Sequence, residues 1–131
     1  MATSQSVLLL QKQLNELLKH PVEGFSAGLV DNDNIYEWEI IIIGPPDTLY
    51  EGGFFKAKMT FPKACCFMDN EYPMMPPKLK FVSDMWHPNV YPDGEVPNDE
   101  SPANIEAAKE WRENYPAFKK RVQRIVRNSI G

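Results

Sequence analysis

Tyr36-Glu37-Trp38-Glu39-Ile40-Ile41-Ile42-Ile43 and Phe55-Lys56-Ala57-Lys58-Met59-Thr60-Phe61 are the two stretches on which the fold turns. In each, apolar and polar side chains alternate with period two, the pattern of a strand that lays one face on a core. The first then passes into isoleucines, as a strand does where it becomes more buried. Lys78-Leu79-Lys80-Phe81 repeats the alternation over a shorter span. Between these runs lie turn formers: Asp31-Asn32-Asp33-Asn34, then Gly44-Pro45-Pro46-Asp47 through Gly52-Gly53, then a proline-rich stretch up to Pro77. Connections this short favour an antiparallel meander.

Outward from the strands, the periodicity changes to that of helices. Val7, Leu10, Leu14 and Leu17, with Leu18 beside them, follow the three-and-four spacing of one helical face. Ser4 or Ser6 is placed to cap its start, and His20-Pro21 followed by Gly24 ends it, because proline disfavours helical geometry in the residue before it. From Val82 to Glu100 neither period persists. Ser101-Pro102 then offers a capping hydroxyl before a proline, with Ile105, Ala108 and Trp111 as the expected inner face of a helix. A further helix near Pro116 carries the stripe Phe118, Val122, Ile125 and Val126, leaving Lys119, Lys120, Arg121, Arg124 and Arg127 outside. The order of helix, strands, long loop and helices predicts a single α+β domain over residues 1–131.

Composition narrows the function classes. A chain of 131 residues builds one core and buries roughly two-thirds of the surface its unfolded form exposes. No apolar run has the length of a membrane helix. The N-terminus lacks a positive n-region, and Val7 to Leu10 is too short for a signal h-region, which predicts a cytoplasmic protein with the nucleus as a further compartment. A net charge of −4 argues against a dedicated nucleic-acid binder. Cys65 and Cys66 are adjacent, which excludes a disulfide framework. With only His20 and His87 besides, no metal site is expected, and no cofactor motif is present. Eight of the 12 prolines fall between Pro62 and Pro102, so the middle of the chain reads mostly as loop.

Four stretches carry a resemblance to a known family: Phe25-Ser26-Ala27-Gly28-Leu29, Gly44 through Gly53, Trp86-His87-Pro88-Asn89-Val90, and Ser101 through Glu113. The His-Pro-Asn triplet gains specificity from its place after Tyr72-Pro73-Met74-Met75-Pro76-Pro77 and the strands. Together they resemble the ubiquitin-conjugating enzymes, and within them the G-type subfamily. The resemblance implies an N-terminal helix, a four-stranded antiparallel meander, an active-site segment, a crossover helix against the sheet and two C-terminal helices. It also implies that Asn89 supports the oxyanion formed when a substrate lysine attacks the ubiquitin thioester, and that His87 holds the loop; an amide donor aimed at developing charge lowers such a barrier. A loop asparagine beside proline also makes local turn bonds, the plainer reading of Asn89. By the same resemblance, the strand face at Ser26 binds a second ubiquitin non-covalently in some relatives. Lys12 and Lys19 on the first helix match the side that meets the activating enzyme, although a solvated helix face is the plainer reading of both. The implied partners are ubiquitin, the activating enzyme and RING-type ligases.

Two departures stand against this pattern. Relatives continue from the glycine turn, here Gly94, into a short apolar segment that begins with the nucleophilic cysteine. This chain runs Glu95-Val96 and then Pro97-Asn98-Asp99-Glu100-Ser101-Pro102, which already resembles the family's sequence beyond the crossover helix. Cysteine and crossover helix therefore read as deleted together, and Pro97 has no group to replace a thiol. Glu100 and Ser101 match residues that flank the family's active site; here they read as N-terminal helix residues. The second departure inserts Ala64 to Glu71 before Tyr72-Pro73, in the loop that grips RING-type ligases in relatives. Cys65 and Cys66 lie in this insertion, away from the inherited site. The expectation is a family member in the ubiquitination pathway that is unable to form the thioester. The alternative is a non-catalytic ubiquitin- or ligase-binding module acting as adaptor or competitor. Loss of the crossover helix is also expected to uncover the sheet face of Trp38, Ile40, Ala57 and Phe61, or that of their alternate neighbours.

Overall fold

The structure, a computed structural model, describes residues 5–62, 76–97 and 102–130. Ser4, the inserted stretch Ala64 to Glu71 with Cys65 and Cys66, and Glu100 and Ser101 lie outside these residues. Helix α1 (Gln5–Lys19) is followed by strands β1 (Phe25–Leu29), β2 (Glu37–Ile43), β3 (Phe54–Thr60), β4 (Lys78–Phe81) and β5 (Glu95–Val96), then by helices α2 (Ile105–Glu113) and α3 (Tyr115–Ile130). The strands form one antiparallel sheet in sequence order. The described residues thus build the expected α+β meander with a fifth, two-residue strand that is too short to leave a period in the sequence.

Strand register sorts the side chains into two faces, because residues directly opposite each other in a sheet point the same way. Ala27, Ile40, Ala57 and Phe81 form one inner row, and Leu29, Trp38, Met59, Leu79 and Val96 form the next. The outer face carries Ser26, Ile41 and Lys56 in one row and Gly28, Glu39, Lys58, Lys80 and Glu95 in another. The alternation of Glu37 and Glu39 against Trp38 and Ile40 is therefore a division between solvent and core.

Two apolar clusters hold the layers together. In the first, Leu10 and Leu14 of α1 meet Trp38, Ile40, Ala57 and Phe61, with the Trp38 and Phe61 rings 4.8 Å apart. Trp38, Ile40 and Ala57 of the sheet and Phe61 just after β3, the first of the two sets expected to be uncovered, are all buried, packed with Leu10 and Leu14 of α1. Farther along the same face, Ile42, Met59, Leu79 and Phe81 are only half-buried. The second cluster joins Ala107 of α2 to Phe118 and Val122 of α3, with Leu49, Tyr50, Trp86 and Val126 around them. The stripe expected on α3 is borne out in Phe118 and Val122, and its five cations are exposed.

Three local expectations are corrected. Ser6 does not cap α1; it is buried inside the helix, and its hydroxyl shares a 2.8 Å hydrogen bond with the Tyr36 hydroxyl. Helix α2 starts at Ile105 behind an Asn104 cap, whose side-chain oxygen accepts the Ala107 N–H at 3.0 Å. A cap at Ser101 would require the helix to begin at Pro102, three residues earlier. The buried face differs as well: Ile105 and Trp111 are exposed, and Ala107, packed against Phe118 and Val122 of α3, is fully buried.

Gly94 fixes the turn into β5. Its φ is +100°, its carbonyl accepts the Phe81 N–H at 2.8 Å, and a Cβ there would stand 2.3 Å from the Phe81 carbonyl oxygen. Gly28, by contrast, has open space where a Cβ would go. Gly94→Ala is expected to cost about 2 kcal/mol or more, through positive φ and the clash together. Gly28→Ala should stay within about 1 kcal/mol of the parent. Urea midpoints of the two variants measured side by side check the contrast.

Candidate functional site

The loop after β4 carries Trp86, His87, Pro88, Asn89 and Val90, and every anchor of this loop comes from a distant part of the chain. Tyr50 donates its hydroxyl to the Trp86 carbonyl at 2.5 Å. The Trp86 indole N–H donates to Glu110 Oε1 at 3.2 Å, and the Arg121 guanidinium lies 4.1 Å above the Trp86 ring. Arg121 also pairs with Glu110 at 3.7 Å. The Pro88 carbonyl accepts the N–H groups of Ala103 and Asn104, at 2.8 and 2.9 Å, and Val90 is buried. The loop is thus clamped between the turn at Tyr50, the start of α2 and the α2–α3 pair. Tyr50 suits its part because burial pushes its phenol well above the ordinary value, so that it remains a donor.

Within this frame His87 is half-buried and Asn89 exposed. His87 Nδ1 accepts the Asn89 backbone N–H at 3.0 Å, and the His87 ring sits 5.5 Å from that of Tyr50. This bond needs Nδ1 unprotonated, and burial lowers the imidazole pKa, which favours the same neutral ring. His87 therefore shapes the turn that presents Asn89, whose side chain projects at the surface as an amide donor and acceptor. The frame around the triplet was not identified from sequence: Glu110 and Arg121 lie on different helices, so no short-range spacing marks them as partners of Trp86. The Asn104 cap did have a local signal, an asparagine just before the helical run.

The remaining candidates lie apart from the loop. Ser26 is exposed on the outer sheet face, opposite Ile41. Lys12 and Lys19 are exposed on α1, seven residues and so about two turns apart, on the side away from Leu10 and Leu14. Pro97 follows β5 directly. Among the described residues there is no cysteine and no cluster of His, Cys, Asp and Glu able to hold a metal ion. Nor is any described helix long and apolar enough to cross a membrane.

The His87 geometry sets a pH dependence. Its folded-state pKa lies below the ordinary 6.5, so its contribution to stability is fully present above that value and is lost as pH falls from there through the folded value. The stability difference between the parent and His87→Gln should be constant above pH 6.5 and shrink below it, as read from urea unfolding across that range.

Comparison with known proteins matches the family model "Ubiquitin-conjugating enzyme" to residues 9–97. The chain is 51% identical to "Ubiquitin-conjugating enzyme E2 13" of Arabidopsis thaliana over 167 aligned positions that cover 96% of each protein. It is 47% identical to "Ubiquitin-conjugating enzyme E2 15" of Schizosaccharomyces pombe, covering 99% of this chain and 98% of that protein. Among solved structures it is similar to human ubiquitin-conjugating enzyme E2 G1, with 44% identity, a TM-score of 0.65 and coverage of 92% and 98% of the two chains. A putative ubiquitin conjugating enzyme from Plasmodium yoelii superposes with a TM-score of 0.82 at 29% identity, covering 98% of this chain and 97% of that one. On sequence and fold together, the chain belongs to the ubiquitin-conjugating enzyme family.

Proposed function

We propose that this chain is a member of the ubiquitination pathway that cannot itself carry ubiquitin as a thioester. The supporting observation is an internal shortfall. The alignment with the Arabidopsis relative runs over 167 positions and covers 96% of both proteins, yet this chain has only 131 residues. At least 36 positions of the relative, 167 less 131, therefore have no counterpart here, and they lie inside the aligned span. The family match ends at Pro97, where resemblance to the family calls for the cysteine.

The chemistry follows from that position. Ubiquitin transfer needs a nucleophile ionised near neutral pH whose acyl product an amine can attack, and a thiolate meets both requirements. A proline side chain meets neither. Asn89 and His87 are kept in a supported loop, so an oxyanion donor persists without an acyl carrier beside it. Incubating the pure chain with activating enzyme, ATP and ubiquitin should give no reductant-sensitive conjugate on a non-reducing gel, while an intact relative gives one. A conjugate that disappears in the double variant Cys65→Ser, Cys66→Ser would overturn this reading.

A second reading, a non-catalytic module that holds ubiquitin or a ligase, is favoured by the exposure of Ser26 beside Ile41 and Lys56 on the outer face. NMR titration with free ubiquitin tests it. Resonance shifts centred on β1 and β2 support the module, and an unperturbed spectrum removes it.

A further inference from the structure

A groove of about 730 Å³ runs from the His87–Asn89 loop across the inner sheet face towards α2 and α3. Its floor includes Ile42, Phe55 and Phe81, and its rim carries Trp111, Arg112 and Tyr115. Trp111 is 53% exposed and Tyr115 44%, large values for aromatic side chains bordering an apolar floor. Trp, Tyr and Arg are also the side chains that dominate binding energy at protein interfaces. Among the described residues, Arg112 is the only charged side chain lining the groove, no carboxylate lines it, and Arg112 has no ion pair.

We propose that this groove binds an amphipathic helix of another protein, with its apolar stripe on the Ile42, Phe55 and Phe81 floor and an acidic side chain paired with Arg112. The floor is the face of a sheet and not its edge, so it presents side chains and no free backbone donors or acceptors. An extended segment laid there would leave its own N–H and C=O groups unpaired against apolar surface. A helix satisfies its backbone internally and needs only a stripe of apolar side chains, the usual helix-in-groove mode. The lone cation at the rim then selects the sign of the charge that flanks the stripe. The inference does not depend on whether the chain forms a thioester.

The test uses the full chain and two fluorescein-labelled, alanine-rich helical peptides. Both carry leucines at i, i+3, i+4 and i+7, and they differ only in having Glu or Lys flanking that stripe. The chain's net charge of −4 favours the Lys peptide through general attraction, so a preference for Glu can only come from a local cation. Anisotropy titration should give saturable binding at least about fivefold tighter for the Glu peptide, which attraction and repulsion of partly exposed charges supply together. Arg112→Glu should invert the preference, and Trp111→Ala should weaken both peptides. Both variants alter exposed residues and should leave the unfolding curve in place. Equal affinity for the two peptides, absence of saturable binding, or amide shifts confined to the outer face would each overturn the proposal. So would concentration-dependent dimerisation abolished by Trp111→Ala, which assigns the groove to a second copy of this chain.

Discussion

One carbonyl stands at the centre of the polar junction between the two halves of this domain. Pro88 lies on the loop that leaves the sheet, and its oxygen accepts both the Ala103 and the Asn104 N–H just ahead of α2. These backbone donors precede the helix and need partners outside it. By taking both, Pro88 fixes where α2 begins, and Asn104 then caps the helix with its own side chain. The Trp86, Glu110 and Arg121 group holds the same loop from the other side. Two apolar clusters that share no residue are thereby locked to each other through a polar junction.

That arrangement bears on stability. A domain with one continuous core unfolds as a unit because each contact supports its neighbours. Here the first cluster depends on α1 and the sheet, and the second on the α2–α3 pair with the turn at Tyr50. Hydrogen bonds that stay shielded from water keep most of their strength, and the same bonds weaken once water reaches them. Cooperativity between the halves therefore rests on the Pro88 junction together with the bond from the Phe54 N–H of β3 to the Ser129 hydroxyl of α3. An occupant of the neighbouring groove would shield Pro88 and Asn89 along with the sheet face, coupling its binding to the stability of the His87–Asn89 loop.

The strands were legible because burial on one face writes a period of two into the sequence, and Trp38, Ile40, Phe55 and Ala57 are buried as that period requires. The stripe on α3 was legible for the same reason at a different period. What the sequence concealed were contacts between segments far apart in the chain. Ser6 looks like a cap by residue type, yet its hydroxyl is directed at Tyr36, thirty positions away. Ile105 and Trp111 look like an inner face by hydrophobicity, yet the packed position is Ala107, since α3 dictates how close the two helices come. The triplet His87-Pro88-Asn89 was legible as a motif. Its support by Tyr50, Glu110 and Arg121 was not, because each acts through a single tertiary contact that leaves no local pattern.

On the proposed reading, loss of the nucleophile leaves most supports of the His87–Asn89 loop untouched. Of the residues that anchor the His87–Asn89 loop, Tyr50, Glu110 and Arg121 lie outside the stretch between β5 and α2, while Ala103 and Asn104 stand at its far end, next to α2. What the loop requires of that stretch is its last two residues, whose N–H groups reach the Pro88 carbonyl. On the inner sheet face Ile42, Leu79 and Phe81 pack beside the first cluster and are half-buried. Apolar surface in that state is stabilised by whatever covers it, in proportion to the area removed from water. The half-buried inner face is thus the surface on which the proposed binding role would rest.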